Sequence, residues 1–261
     1  MRKEYRDEIK EEEVIENKRY SEVGGFDSFL PGTHTIKSPT GSNVVVGGQV
    51  ITISNANEIQ SALNALDREG GGTLFLRKGT YYPTDNINVP SNVIVEGEGI
   101  GNTIIDFQEG AFQVSIEGIA RDTGAQTVSI TEGSTTVTGA AGSTFLTDVA
   151  KDDILLITNP NSGAYGEVSS VTNNTTLILK EAWPYPTVTS VTKSIFKPVN
   201  NSAVKNLTIT NSAVTGVIQG AFTIARAVNF LSENVLVTSN SVLGVSINDT
   251  LNSEFRNTES S

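Results

Sequence analysis

The apolar residues of the chain follow a helical spacing once, within residues 58–66, and a strand-like spacing almost everywhere after it. Four residues at positions i, i+3, i+4 and i+7 predict one apolar helix face: Ile59, Ala62, Leu63 and Leu66. Asn55 or Asn57 is placed to cap this helix. The glycine run at 70–72 predicts its end, because glycine is a poor helix former.

Short apolar strands separated by glycine, proline and asparagine follow the helix. The pattern predicts strands at Thr73–Leu76, Asn86–Val89, Asn92–Glu96 and Thr103–Phe107. Leu74 and Ile94 lie 20 residues apart, which is about one coil of a parallel β-helix with three short strands per turn.

The last part of the chain resumes this rhythm. A short apolar strand accompanies each of Asn206, Asn234 and Ser253, with separations of 28 and then 19 residues. Asparagine and serine tolerate the left-handed backbone conformation and can form hydrogen-bonded ladders along a coil axis. We therefore expect these three residues at corresponding corners of successive coils.

Residues 124–197 break the rhythm with longer strands in which apolar and polar residues alternate. The turns between them are Asn-Asn, Glu-Gly and Asp-Asp pairs, which suit antiparallel strands. The pattern predicts a small antiparallel β-sandwich or barrel inserted between coils.

Composition excludes several kinds of chemistry. The chain has 29 acidic and 18 basic residues and a net charge of -11, which disfavours nucleic acid and membrane partners. It has no cysteine, and its one histidine, His34, lies in a polar segment and is expected to have no catalytic role. No cofactor and no metal site is predicted. Neither a secretion signal nor an apolar run long enough to span a membrane is seen in the sequence.

The N-terminal segment differs in kind from the rest, because fourteen of its first 22 residues are charged. Residues 1–22 are compatible with a solvated, frayed helix or with a tail that docks on another chain. Residues 23–50 are rich in Gly, Ser, Thr and Pro and suit a linker or lead-in.

The order of helix, glycine run, apolar strand and the turn KGTY at 78–81 resembles the first coil of the pectin-lyase-like right-handed parallel β-helix proteins. The segment NVIVEGEGIGNTIIDF resembles their next coil. The match covers residues 50–118 and, more loosely, 199–261, and Arg77 stands where the family often has proline. The resemblance implies an all-β fold, a right-handed parallel β-helix with an N-terminal capping helix.

The inserted segment resembles small β modules of phage tail and other virion proteins. The resemblance rests on GSTTVTG at 133–139, YGEVSSV at 165–171 and TLIL at 176–179. Asp152 replaces the glycine of a Gly-Asp turn in that pattern. The resemblance implies a structural, receptor-binding component of a phage tail, of the tailspike or tail-fibre type, located in the virion or alternatively at a cell surface.

Such a component would attach to cell-surface glycan within a larger assembly. Its implied partners are other tail proteins, through residues 1–22, and two further copies of itself in a homotrimer. The chain reaches FRNTESS without a visible cap, so we expect more chain or another chain to cover that end. The alternative functions are the N-terminal portion of a polysaccharide lyase or glycoside hydrolase, and a non-catalytic bacterial surface adhesin.

These patterns divide the chain into five segments. They are a charged tail (1–22), a lead-in (23–50), N-terminal coils with the helix (51–123), the inserted β module (124–197) and further coils (198–261).

Candidate site residues are few. Sugars stack on exposed aromatic rings, so Trp183, Tyr185 and Tyr165 are candidate carbohydrate contacts, the alternative being that they pack inside the inserted module. Glu233 and Glu254 are 21 residues apart and could stack as a catalytic pair, although that register spoils the apolar ladder. No catalytic residue is assigned.

Overall fold

The computed structural model of the protein describes residues 33–36, 42–46, 49–53, 58–108, 112–121, 124, 127–159, 163–212, 221–239 and 244–260. For the strands before residue 54 the description is of the backbone. The charged segment 1–22 and the candidate caps Asn55 and Asn57 lie outside these residues.

Strands dominate the described chain. Before residue 110 the elements are β1 (Thr33–Ile36), β2 (Ser42–Val46), β3 (Gln49–Ile53), α1 (Glu58–Arg68), β4 (Gly72–Leu76), β5 (Gly79–Tyr81), β6 (Ile87–Asn88), β7 (Val93–Gly97) and β8 (Thr103–Asp106). Residues 112–197 contain β9 (Val114–Glu117), β10 (Ile119–Ala120), β11 (Thr127–Ile130), β12 (Thr136–Gly139), α2 (Phe145–Asp148), β13 (Ile154–Asn159), β14 (Tyr165–Asn173), β15 (Thr176–Leu179) and β16 (Val188–Lys197). The remaining strands are β17 (Val199–Asn200), β18 (Ala203–Asn211), β19 (Phe222–Ala225), β20 (Ala227–Val228), β21 (Leu231–Ser239), β22 (Val245–Asn248) and β23 (Glu254–Ser260).

Most strands outside the inserted segment stack in parallel. Strands β4, β7, β18, β21 and β23 pair in that order, and β8 joins β5 to β18. Strands β6, β9, β19 and β22 form a second parallel sheet, and β17 pairs with β20. Each time the chain passes through these sheets, its residues therefore stack on the corresponding residues of the pass before, and the stacked residues form rows. Leu74, Val95 and Val204 form one such buried row.

Helix α1 packs its apolar face into the same core as the parallel strands. Its four predicted apolar residues are all buried there. The helix is followed by Gly71, whose φ is +132° and where a Cβ atom would lie 2.4 Å from the carbonyl oxygen of Asn92. Only glycine fits this close approach.

The inserted segment is a closed antiparallel barrel, which decides between the two predicted forms. Strands β16, β11, β12, β15, β14 and β13 pair in this order, and β13 pairs with β16 to close the ring. Its core includes Val128, Val137, Phe145, Val168, Leu177 and Trp183.

The barrel enters the stack at the position of a single residue. Glu117 pairs with Ala225, and Val199 pairs with Ala227, so residues 118–198 occupy the place that Arg226 alone occupies in the next pass. Arg226 Nε donates to the carbonyl oxygen of Gly118 at 2.8 Å, and the Val199 amide donates to the Arg226 carbonyl oxygen at 3.1 Å.

A small apolar cluster joins the barrel to the parallel strands. Phe196 and Ile154 of the barrel are buried in it, and Val228 and Leu251 from the parallel strands pack against them. The barrel is therefore held beside the stack by packing as well as by its two connections.

Asparagines at one corner of the parallel stack form a hydrogen-bonded row. The amide of Asn234 donates to Asn206 at 3.0 Å, and that of Asn257 donates to Asn234 at 3.1 Å. All three have positive φ, between 46° and 55°. We call them the coil asparagines.

Two sequence predictions are corrected by the structure. Ser253 does not occupy the corner after Asn234, because β21 pairs with β23 in the register that places Asn257 there. The predicted strands near residues 86, 92 and 103 exist with shifted or shorter bounds, as β6, β7 and β8. Asn92, predicted as the first residue of a strand, has a φ of 61° and forms the corner before β7.

Replacing Asn234 tests the corner. Asn234→Ala should lower the free energy of unfolding by about 2–3 kcal/mol, because two side-chain hydrogen bonds are lost and alanine resists the left-handed backbone. Asn234→Gly loses the same hydrogen bonds, but glycine adopts the left-handed backbone conformation readily. Its loss in free energy of unfolding should therefore be about 1 kcal/mol smaller than that of Asn234→Ala. Urea denaturation compares them, and equal losses would contradict the backbone part of this account.

Candidate functional site

A groove of about 540 Å³ runs between the barrel and the parallel strands. Its coil side is lined by Asn92, Asn201, Asn229 and Asn252. Its barrel side is lined by Asp152, Tyr165 and Glu167, and residues around Pro198 and Val228 form its floor. Cavities of this size are typical of sites for small molecules and short polymer segments.

The coil side of the groove is an ordered row of amides. The side chain of Asn201 donates to Asn92, and that of Asn229 donates to Asn201, each at 3.1 Å. Asn252 follows in register, since Val228 pairs with Leu251. All four residues have positive φ and are exposed. We call them the groove asparagines; the amides of Asn92, Asn201 and Asn229 are held in place by one another before any ligand binds.

The barrel side brings a phenol ring and two carboxylates to the same groove. Tyr165 opens β14 and packs partly against the cluster of Ile154, Leu156 and Phe196. Lys180 Nζ lies 2.7 Å from Asp152 Oδ1 and 2.5 Å from Glu167 Oε1. The hydrogen bond from Lys180 holds the pKa of Asp152 below its usual value, and the same contact raises the pKa of Lys180.

This ion pairing bears on catalysis. A glycosidase needs one carboxylic acid whose pKa is raised, so that it is protonated at neutral pH. The pKa of Asp152 is shifted in the opposite direction. As a charged carboxylate it is suited to accept hydrogen bonds from hydroxyl groups.

A second cavity of about 380 Å³ adjoins the groove and shares Asp152, Pro198 and Asn200 with it. Its lining includes a two-pronged ion pair, in which Arg121 Nε and Nη2 donate to Asp153 at 2.8 and 3.0 Å. Asp153 is only 1% exposed. This pair fixes the strand that enters the barrel to the turn that carries Lys151 and Asp152.

The three aromatic residues predicted as glycan contacts do not form one site, because Trp183 and Tyr185 contact each other in the barrel while Tyr165 lies apart from them. Trp183 is 1% exposed, lies in the barrel core and donates from Nε1 to the carbonyl oxygen of Pro186 at 3.3 Å. Tyr185 meets it edge to face at 4.9 Å between ring centroids. Tyr165 lines the groove. The ring of Trp183 is covered, which favours the packing alternative for this residue, and the carbohydrate role of Tyr165 stays a prediction.

Sequence reasoning missed the groove asparagines, although a spacing signal was present. Each coil asparagine is preceded five residues earlier by a groove asparagine, in NSAVKN, NFLSEN and NSEFRN. The repeated five-residue spacing therefore predicts two asparagine corners in each pass of the chain.

The two glutamates considered as a catalytic pair, Glu233 and Glu254, are each engaged in ion pairs. Glu233 pairs in register with Arg256 and not with Glu254, and it contacts both Lys205 and Arg256. Arg256 holds the pKa of Glu254 below its usual value through a hydrogen bond. Arg226 is bound to Glu117. Within the described residues, no group of three or more histidine, aspartate or glutamate side chains is placed to hold a metal ion.

Comparison with known proteins gives similarities of fold only. No protein-family model and no curated protein matches the chain. Among solved structures it is similar to the tailspike of Pseudomonas phage phi297, with 18% identity, a TM-score of 0.46 and coverage of 75% of this chain and 38% of that one.

Two further tailspikes are similar. One is from Acinetobacter baumannii bacteriophage AP22, solved in complex with A. baumannii capsular saccharide, with 19% identity, a TM-score of 0.41 and coverage of 76% and 38%. The other is from Pseudomonas phage LKA1, with 17% identity, a TM-score of 0.44 and coverage of 76% and 39%. The chain thus spans about two fifths of the length of these structures.

In the described part of the chain, no helix has the length and apolarity needed to cross a membrane.

The ion pair at the groove predicts a pH effect. Lys180→Gln should raise the pKa of Asp152 toward its ordinary value of 3.8. In the native protein the pKa of Asp152 lies below that of the unfolded chain. The stability contributed by the pair is therefore present above about pH 4 and is lost as the pH falls through the folded value.

Carbon NMR titration of the Asp152 carboxyl measures this shift, with Lys78→Gln as a remote control of equal charge change. An unchanged Asp152 titration in Lys180→Gln would show that Lys180 does not hold the carboxylate.

Proposed function

We propose that this chain is a structural, receptor-binding component of a phage tail that attaches to cell-surface glycan. One observation carries the proposal: a preformed row of exposed amides faces a tyrosine ring and two charged carboxylates across one groove. A second support is the resemblance of the coils to pectin-lyase-like β-helix proteins and of the inserted module to small β modules of phage tail and other virion proteins.

The chemistry of the groove suits a sugar chain. Each amide offers a donor and an acceptor to hydroxyl groups, and the carboxylates of Asp152 and Glu167 accept hydrogen bonds from hydroxyls. The ring of Tyr165 offers an apolar face to the carbon skeleton of a sugar. Because the groove asparagines are fixed by their backbone and by one another, little ordering is required on binding.

We propose that the parallel sheets form a right-handed β-helix and that α1 covers its N-terminal end. The burial of Leu63 and its neighbours in the core of the parallel strands supports this role. The proposed division of the chain is tail 1–22, lead-in 23–50, coils 51–123, barrel module 124–197 and coils 198–261. The closed strand ring and the two separate apolar cores support the boundaries of the module.

The proposed assembly is a homotrimer in the virion, docked on other tail proteins through residues 1–22. The charge density of that segment supports docking. Mass determination of the full chain in solution tests the trimer, and a monomer at all concentrations would contradict it.

The two asparagine rows provide a matched test of the glycan site. Asn229→Gly removes an amide from the groove and keeps the positive φ that glycine accepts. Asn234→Gly does the same at the corner outside the groove. On a panel of bacterial capsular polysaccharides and lipopolysaccharides, Asn229→Gly and Tyr165→Ala should each lower affinity about tenfold, equivalent to about 1.4 kcal/mol. Asn234→Gly should bind like the parent chain.

Equal binding by the parent chain and all variants would show that the groove is not the glycan-binding site. Incubation of the same polysaccharides with the parent chain, followed by reducing-end and ultraviolet assays, tests the enzymatic alternative. Sustained turnover would replace attachment by depolymerisation as the function.

A further inference from the structure

The adjoining 380 Å³ cavity differs in charge from the groove that it joins. Its charged lining consists of Arg121, Lys151 and Lys197 together with Asp152 and Asp153. The groove itself is lined by the carboxylates of Asp152 and Glu167. The continuous cleft therefore has an anionic end and a cationic end, on a chain whose net charge is -11.

The carboxylates of the cationic end are already engaged. Asp153 accepts two hydrogen bonds from Arg121 and one from the amide of Ala150 at 2.8 Å. Asp152 is bound by Lys180. Among the residues that the structure describes, neither Lys151 nor Lys197 takes part in an ion pair. After the hydrogen bond from Lys180, the charge of Lys151 also contributes to the lowered pKa of Asp152, and Lys197 forms no ion pair with any described residue.

The positions of the two lysines are fixed by the backbone. Lys151 belongs to a turn in which Asp152 has a φ of 69° and its amide donates to the Val168 carbonyl oxygen at 2.9 Å. Lys197 ends β16, where it pairs with Ile119. Both side chains are exposed. Their stems start from ordered strands and turns of the barrel.

The opposite wall supplies neutral polar groups. Ser91 Oγ accepts a hydrogen bond from the Asn200 amide at 3.1 Å, and a hydroxyl that accepts can still donate its hydrogen to a ligand. A group bound here would therefore meet two ammonium donors and one hydroxyl donor. That set matches an anionic oxygen group.

We infer that this cavity binds the anionic group of an acidic sugar residue, a carboxylate or a sulfate ester, while the neutral part of the same glycan lies along the groove asparagines. The inference rests on the proposed glycan attachment and adds the class of sugar and its orientation. Sugar hydroxyls face Asp152 and Glu167, and the acidic substituent faces Lys151 and Lys197.

The test uses the full chain and immobilised polymers of known charge: hyaluronan and alginate for carboxylate, dextran sulfate for sulfate ester, and dextran as the neutral polymer. Biolayer interferometry should show binding to at least one acidic polymer and none to dextran. Lys151→Gln combined with Lys197→Gln should weaken that binding at least tenfold. Lys78→Gln combined with Lys205→Gln removes equal charge outside the lining of both cavities, and it should weaken binding less than threefold.

The anionic group is identified by which polymer is retained. Binding to a uronate polymer that disappears after chemical reduction of its carboxyl groups assigns a carboxylate, and binding to dextran sulfate alone assigns a sulfate ester. Raising the salt concentration should weaken acidic-polymer binding by the parent chain more than binding by the Lys151 and Lys197 double variant, because the charges that salt screens are already absent from the variant.

Three results would overturn the inference. The first is equal loss of binding in both double variants, which would indicate general charge attraction. The second is binding of a neutral polymer that depends on Asn229 and not on the two lysines; this result leaves the proposed function standing. Absence of binding to every one of these polymers and to the bacterial panel overturns both proposals.

Discussion

The structure depends on one backbone constraint: the chain must turn sharply at the same place in every pass while its strands stay in parallel register. A sharp corner requires a residue with positive φ, which most side chains resist. Asparagine accepts it, and its amide both donates and accepts, so each corner can bond to the corner of the next pass. The rows headed by Asn92 and Asn206 both follow from this requirement.

The candidate site is built on the same constraint. A row of asparagines that serves only the backbone would be covered or would face open solvent. Here the barrel stands beside one of the two rows and turns it into the wall of a cleft. The coils thus contribute repetition and rigidity, while the barrel contributes the features that do not repeat, namely the ring of Tyr165 and the charges near Asp152.

Local patterns in the sequence were enough to predict the helix face around Leu63 and the stacking of Asn206 on Asn234, because both depend on short spacings. For Trp183 the sequence offered both an exposed and a packed position, since alternating strands do not show which aromatic ring lies inside a closed barrel. The groove was also beyond reach, because it exists only where two segments distant in sequence meet. Its asparagines repeat visibly, but repetition alone does not show that a barrel lies opposite them.

The barrel occupies a place that one residue, Arg226, occupies in the next pass. Entry and exit of the barrel lie side by side, so the coil keeps its register whatever the barrel contains. An ancestral coil closed by one residue could have acquired the module in a single step, and a different module could replace it in the same way. The barrel side of the cleft could then change by exchange of the module alone, with the coil scaffold left unaltered.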